Sequence, residues 1–95
     1  MNWEDRTADY YINRMLRQYD LGELAGEIEV ERAYREVVGD FISRLTTRIH
    51  YRKGTLRVHY AAAALRQEIS LRRESLRLAI NQKLGSETIK KIEIR

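Results

Sequence analysis

An α+β fold, with helices packed on one face of a small three-stranded sheet, is what this sequence predicts, and three observations predict it. Apolar residues recur at helical spacing through the first half of the chain. Residues 47–60 trade apolar for polar at every step about a central Lys53-Gly54 pair. A third helical stretch then leads to a closing alternation at Ile92-Glu93-Ile94. The order is α-α-β-β-α-β, an arrangement in which a short sheet hides one face beneath helices. At 95 residues the chain (1–95) is expected to form a single domain with one modest core.

The first helix is carried by Ala8, Tyr11, Ile12, Met15, Leu16 and Tyr19, with Thr7 placed to cap its start and Gly22 following its end. The second repeats the spacing in Tyr34, Val37, Val38, Phe41, Ile42 and Leu45. Its register carries across Gly39, so the helix either runs through that glycine or restarts just beyond it in phase. Glycine inside a helix costs about 1 kcal/mol relative to alanine, which points to close packing or a kink there. An acidic cluster, Glu23 to Glu36, lies on or just before this helix.

The hairpin is the most informative stretch. With Lys53-Gly54 as a two-residue turn, Arg52 lies opposite Thr55, Tyr51 opposite Leu56, His50 opposite Arg57 and Ile49 opposite Val58. Every pair then matches in character, and a slip of one residue would mix the faces. Ile49, Tyr51, Leu56, Val58 and Tyr60 form the buried side. Arg48, His50, Arg52, Arg57 and His59 look outward, with no acidic neighbour on either strand.

Ala61 opens the last helical segment, and Leu65, Ile69, Leu76, Ile80 and Leu84 line one stripe. Arg72 and Arg73 fall on or beside that stripe, which implies a bend near Ser70, where a new helix could be capped, or an exposed middle turn. Gly85 ends the segment. In the closing strand Ile92 and Ile94 face inward, and Lys91 and Arg95 lie beside the cationic face of the hairpin. Tyr34, Val37, Val38, Ile49, Val58, Leu65 and Ile69 are assigned to the core.

Several function classes drop out on composition. Without cysteine there is neither a disulfide framework nor a thiolate metal site. The acidic start Met1-Asn2-Trp3-Glu4-Asp5 lacks the apolar core of a signal peptide. The apolar run Tyr60 to Leu65 is far short of the roughly 20 residues that span a membrane. A soluble, cytoplasmic protein is expected. No nucleophile–base pair, phosphate-cradling glycine loop or apolar carboxylate pair can be picked out, so neither an enzyme, nor a cofactor, nor a small-molecule substrate is expected. His50 and His59 sit diagonally across the hairpin, but a third ligand is missing and their arginine neighbours would repel a cation, so no metal is expected either.

Charge is what remains. The net +4 conceals a split: residues 1–40 carry 5 Lys/Arg against 10 Asp/Glu, whereas residues 41–95 carry 13 against 4. Arginine outnumbers lysine 14 to 4, and its planar fork of donors suits phosphate oxygens. Such contacts hold a nucleic-acid backbone without reading its sequence. The candidate contacts are Arg48, His50, Arg52, Lys53 and Arg57 on the hairpin and Arg72, Arg73 and Arg77 on the helix. Tyr51 and Tyr60 point inward, so base stacking on the sheet is not expected. Glu23, Glu27, Glu29, Glu31 and Glu36 could instead meet a basic protein partner. Salt-sensitive self-association of the two oppositely charged halves and an accessory role on RNA remain open alternatives.

Several of these features share one pattern. Ala33-Tyr34-Arg35-Glu36-Val37-Val38-Gly39, Thr46-Thr47, Lys53-Gly54-Thr55-Leu56-Arg57-Val58, Ala63-Ala64-Leu65-Arg66-Gln67-Glu68-Ile69, Leu84-Gly85 and Ile92-Glu93-Ile94-Arg95 resemble the DciA family. The resemblance spans about Leu24 to Arg95. It implies a KH-like domain of a bacterial loader or operator of the replicative DNA helicase, which ranks DNA ahead of RNA and makes that helicase the candidate protein partner. Two departures stand out. Family members usually have tryptophan where Tyr34 stands, and many carry a long basic or disordered extension, implicated in gripping the helicase, that these residues do not include. The chain also has no GXXG loop of the kind with which a KH domain clamps its ligand, so any grip on nucleic acid must use other residues.

Overall fold

The structure is a computed structural model that describes Tyr10, Arg14 and residues 21–95. The stripe expected from Ala8 to Tyr19 lies outside the described residues. Over 21–95 the order is α1 (Leu21–Leu45), β1 (Thr46–Arg52), β2 (Thr55–Tyr60), α2 (Ala63–Leu71), α3 (Arg73–Leu84) and β3 (Lys91–Ile94). This is the expected α+β class, with the helices packed on a three-stranded sheet of order β1-β2-β3. β1 and β2 are antiparallel, and β3 runs parallel to β2.

The hairpin adopts the register that its alternation predicts, with Ile49↔Val58, His50↔Arg57, Tyr51↔Leu56 and Arg52↔Thr55. Both turn residues have positive φ, 49° at Lys53 and 86° at Gly54, the pair of values that a right-twisted two-residue hairpin requires. A bulge between Thr46 and Arg48 then shifts the pairing so that Thr46 meets Tyr60. As the central strand, β2 buries Leu56, Val58 and Tyr60 under the helices.

β3 is secured at both ends. The Gly54 carbonyl accepts the Lys90 and Lys91 N–H groups at 2.8 and 3.1 Å, and the Arg95 N–H donates to the Val58 carbonyl at 2.9 Å. Ahead of the strand, Asn81 Nδ2 donates to the Ile89 carbonyl at 2.9 Å while the Ile89 N–H donates to Asn81 Oδ1 at 2.8 Å. That two-way clamp seats Ile89 in the core, a role its isolated place in the sequence did not suggest.

α1 is where the expectations needed correction. Gly22 lies in the first turn of α1, and the helix end that it was expected to follow falls outside the described residues. At Gly39 the backbone leaves helical geometry altogether, with φ 83° and ψ 172°. A Cβ placed there would meet nothing within 4 Å, so the glycine serves a kink and not close packing. Beyond the kink Ile42 still packs on the core, but Phe41 and Leu45 are exposed, because the redirected last turn carries them off the stripe. Arg35 bridges the bend, its NH1 donating to the Ser43 carbonyl at 3.2 Å and to Ser43 Oγ at 2.5 Å. Eight residues of straight helix rise about 12 Å, too far for one side chain to span.

The last helical segment does break near Ser70, at Arg72 (φ −108°, ψ 15°), but no side chain caps the new helix. It also starts later than expected, at Ala63. Leu65, Ile69, Leu76, Ile80 and Leu84 all face the core as their spacing required.

A chain of buried hydroxyls joins α1 to the sheet. Tyr34 Oη lies 2.7 Å from Thr46 Oγ1 and 2.5 Å from Tyr60 Oη, and Thr46 Oγ1 donates to the Ile42 carbonyl at 2.8 Å. A carbonyl only accepts, so the direction is settled: Tyr60 donates to Tyr34, Tyr34 to Thr46, and Thr46 to Ile42. Burial pushes both phenols above their ordinary pKa, which keeps them protonated. A tyrosine at position 34 thus supplies a hydrogen bond that apolar packing alone could not.

Candidate nucleic-acid interface

Helices cover the inner face of the sheet, so every outward residue of the three strands faces away from them. Arg48, His50 and Arg52 on β1 stand beside His59, Arg57 and Thr55 on β2, and Arg57 in turn stands beside Glu93 on β3. Lys53 extends this surface at the tip of the turn. Asparagine would adopt its positive φ at lower cost, about 1 kcal/mol or somewhat more for an ordinary L residue, so the lysine exchanges backbone ease for a charge at the tip.

The sequence-predicted contacts separate into three groups. Arg48, Arg52 and Lys53 form no ion pair among the described residues and stand exposed on the hairpin. His50 and Arg57 belong to the same face but already have neighbours. His50 Nδ1 lies 3.5 Å from Glu27 Oε1 of α1, and Arg57 Nε donates to Glu93 Oε2 at 2.8 Å. Arg72, Arg73 and Arg77 sit in the helical layer, away from the outer sheet face. There Arg72 pairs with Glu68 at 2.9 Å and Arg73 forms no ion pair among the described residues. Arg77, only 18% exposed, is tied to Glu74 at 2.6 Å and to the Ile89 carbonyl at 3.1 Å. Its guanidinium holds α3 against the segment that leads into β3.

Glu93 is the residue of this face that sequence reasoning passed over. The alternation that turns Ile92 and Ile94 inward also turns Glu93 outward, between Lys91 and Arg95, so the signal was present. The parallel pairing with β2 then sets it against Arg57. Arg57 Nε, Arg95 NH2 and Lys91 Nζ approach its carboxylate at 2.8, 3.3 and 3.4 Å. The hydrogen bond from Arg57, helped by those from Arg95 and Lys91, holds the Glu93 pKa down at about 2.

Two clefts border this surface. A shallow one of about 350 Å³ is lined by His50, Arg52, Lys53, Thr55, Arg57 and Glu93. A larger one of about 500 Å³ runs between the hairpin tip and the start of α1, where Glu23 and Glu27 face His50, Arg52 and Lys53. The first is mainly cationic and the second mixed. No group of three or more His, Asp or Glu among the described residues is arranged to hold a metal ion, and no described helix is long and apolar enough to cross a membrane.

Residues 8–94 match a family described as "Dna[CI] antecedent, DciA". The chain belongs to the DciA family. No curated protein matches it. DciA is associated with loading of the replicative helicase in DNA replication, and it is not a family of catalysts.

Proposed function

We propose that this DciA-family chain is a non-enzymatic, cytoplasmic adaptor that binds DNA through the outer face of its sheet while its acidic helix meets a protein, the replicative helicase being the candidate. The observation that carries the first half is the hairpin register. It gathers Arg48, Arg52, Lys53 and Arg57 on one surface, three of them without an ion pair among the described residues. Arginine and lysine in that density suit phosphate, and the missing aromatics favour a grip on backbone over stacking on bases. Arg72 and Arg73 offer a second, smaller patch in the other layer, whereas Arg77 is engaged internally.

The second half rests on α1. Leu21, Leu24 and Ile28 recur at i, i+3 and i+7 and are all exposed, on a helix that also carries Glu23, Glu27, Glu29 and Glu31. An apolar stripe with acidic flanks suits a basic, amphipathic protein surface. It would equally serve a reading in which the chain associates with itself.

Fluorescence anisotropy with labelled single-stranded DNA, duplex DNA and RNA, each titrated with salt, tests the proposal. The three hairpin cations without an ion pair, meeting three phosphates, give log K against log salt a slope of about −2.1 on single strands and about −2.7 on duplex. The triple variant Arg48→Ala/Arg52→Ala/Arg57→Ala is expected to lose most of that slope. Absence of binding to all three ligands at low salt would overturn the nucleic-acid reading. Salt-dependent oligomers formed without nucleic acid would favour self-association.

A further inference from the structure

Three cations drawn from two strands converge on one carboxylate, and the fold leaves them little choice. Lys91 and Arg95 lie two residues either side of Glu93, Arg95 just past the end of β3 but still bonded through its backbone to Val58 and Tyr60, so the pleat puts all three on the outer face, and the parallel register adds Arg57 from β2. Arg57 and Arg95 share Glu93 Oε2, while Lys91 approaches Oε1. The carboxylate is 22% exposed and its three partners are between 41% and 65% exposed, so the cluster opens directly onto solvent beside Arg52 and Lys53. Arg57 reaches Glu93 through Nε alone, which leaves both terminal nitrogens without a hydrogen bond among the described residues.

A carboxylate and a phosphodiester each carry one negative charge on paired oxygens, and arginine receives both through the same donor fork. We infer that Arg57, Lys91 and Arg95 form a phosphate site whose anion position is filled in the free protein by Glu93, an internal competitor that weakens the chain's hold on nucleic acid. The inference rests on the nucleic-acid reading above and adds a means of keeping affinity low. A strand arriving at this face must displace the carboxylate or bind within a few ångströms of its charge. Either way Glu93 opposes the bound state, and at such exposure little preorganisation of its partners is gained in return.

The test compares the wild-type chain with Glu93→Gln, which keeps the shape and removes the charge, and with Asp40→Asn, which removes the same charge from an exposed position on α1. Each is titrated with a labelled oligothymidylate across salt, after circular dichroism has shown the same fold. One additional phosphate neutralised steepens the single-strand slope by about 0.7 and tightens binding about fivefold at 0.1 M salt, for curves that converge at 1 M. Glu93→Gln is expected to show both changes and Asp40→Asn neither. Measurable binding by Glu93→Gln alone would also support the inference. Weaker or unchanged binding by Glu93→Gln, with the hairpin arginine variants still impaired, would overturn it and leave the nucleic-acid reading standing; Glu93 would then only position Arg57. Equal tightening by both variants would overturn it in favour of net charge. No binding by any of the proteins would overturn the nucleic-acid reading and this inference together.

Discussion

Two glycines in the same helix should respond to the same substitution with opposite signs. Gly26 lies in the regular part of α1, and a Cβ there would meet nothing within 4 Å. Alanine should therefore stabilise, by about 0.5–1 kcal/mol, because it restricts the unfolded chain and costs nothing in the folded one. Gly39 has equal room, with nothing within 4 Å of its Cβ, but its φ of 83° and ψ of 172° belong to a region that is almost exclusively glycine's. Steric crowding is thus removed from the comparison, and what remains is backbone strain of about 1–3 kcal/mol. Urea unfolding reads both. With a slope of about 1 kcal/mol per M for a chain this small, Gly39→Ala should lower the midpoint by about 1–3 M and Gly26→Ala should raise it by about 0.5–1 M. In thermal melts each kcal/mol corresponds to about 4–8 °C. The reasoning has a second foothold in the Arg35–Ser43 bridge, which only a bent helix allows. Were Gly39→Ala to stabilise like Gly26→Ala, the helix would run straight, and the kink that delivers Thr46 to Tyr34 would be refuted.

Three further outcomes are expected. Tyr34→Phe removes the middle of the buried hydroxyl chain, leaving Tyr60 without its acceptor and Thr46 without its donor, and should cost about 1–3 kcal/mol by chemical denaturation. Asn81→Ala opens the clamp on Ile89 and should cost a similar amount, about 1–3 kcal/mol, with faster hydrogen exchange at the Ile89 and Lys90 amides as the local signature. The third concerns pH: the Glu93 carboxyl titrates at about 2 in the fold against an ordinary 4.5. The unfolded chain therefore binds a proton first, so the ion cluster stabilises fully above pH 4.5 and its contribution fades as pH falls towards 2. Urea midpoints measured across that window should drop less steeply for Glu93→Gln than for the wild type, and identical profiles would show the cluster to be energetically idle.

Much of the fold could be read directly because its periodicities are strict. The hairpin register follows from matching character at each facing pair, and the Leu65–Leu84 stripe from helical spacing. Both depend on neighbours in sequence. Where the fold departed from expectation, a single residue interrupted the periodicity. The helical segment breaks at Arg72, where an arginine could not stay on the buried stripe, and the serine nearby takes no part as a cap. Phe41 and Leu45 fit the apolar pattern of α1 yet lie exposed, since a single glycine redirects the turn that carries them.

The candidate interface divides in the same way. Alternation by itself determined that Arg48, His50 and Arg52 share a face of β1, because the pleat has a period of two whatever the strand pairs with, and the two-residue turn at Lys53-Gly54 added Arg57 from β2. Alternation also put Lys91, Glu93 and Arg95 on one side of β3. Only the tertiary structure decided that β3 lies parallel to β2 with Glu93 against Arg57, that Arg77 is drawn inward to Ile89, and that the helical and sheet arginines occupy separate layers. The physical reason is one of range. Side-chain direction along a strand or helix is set by local backbone geometry, whereas the partner of a charge is chosen by segments brought together only when the core closes.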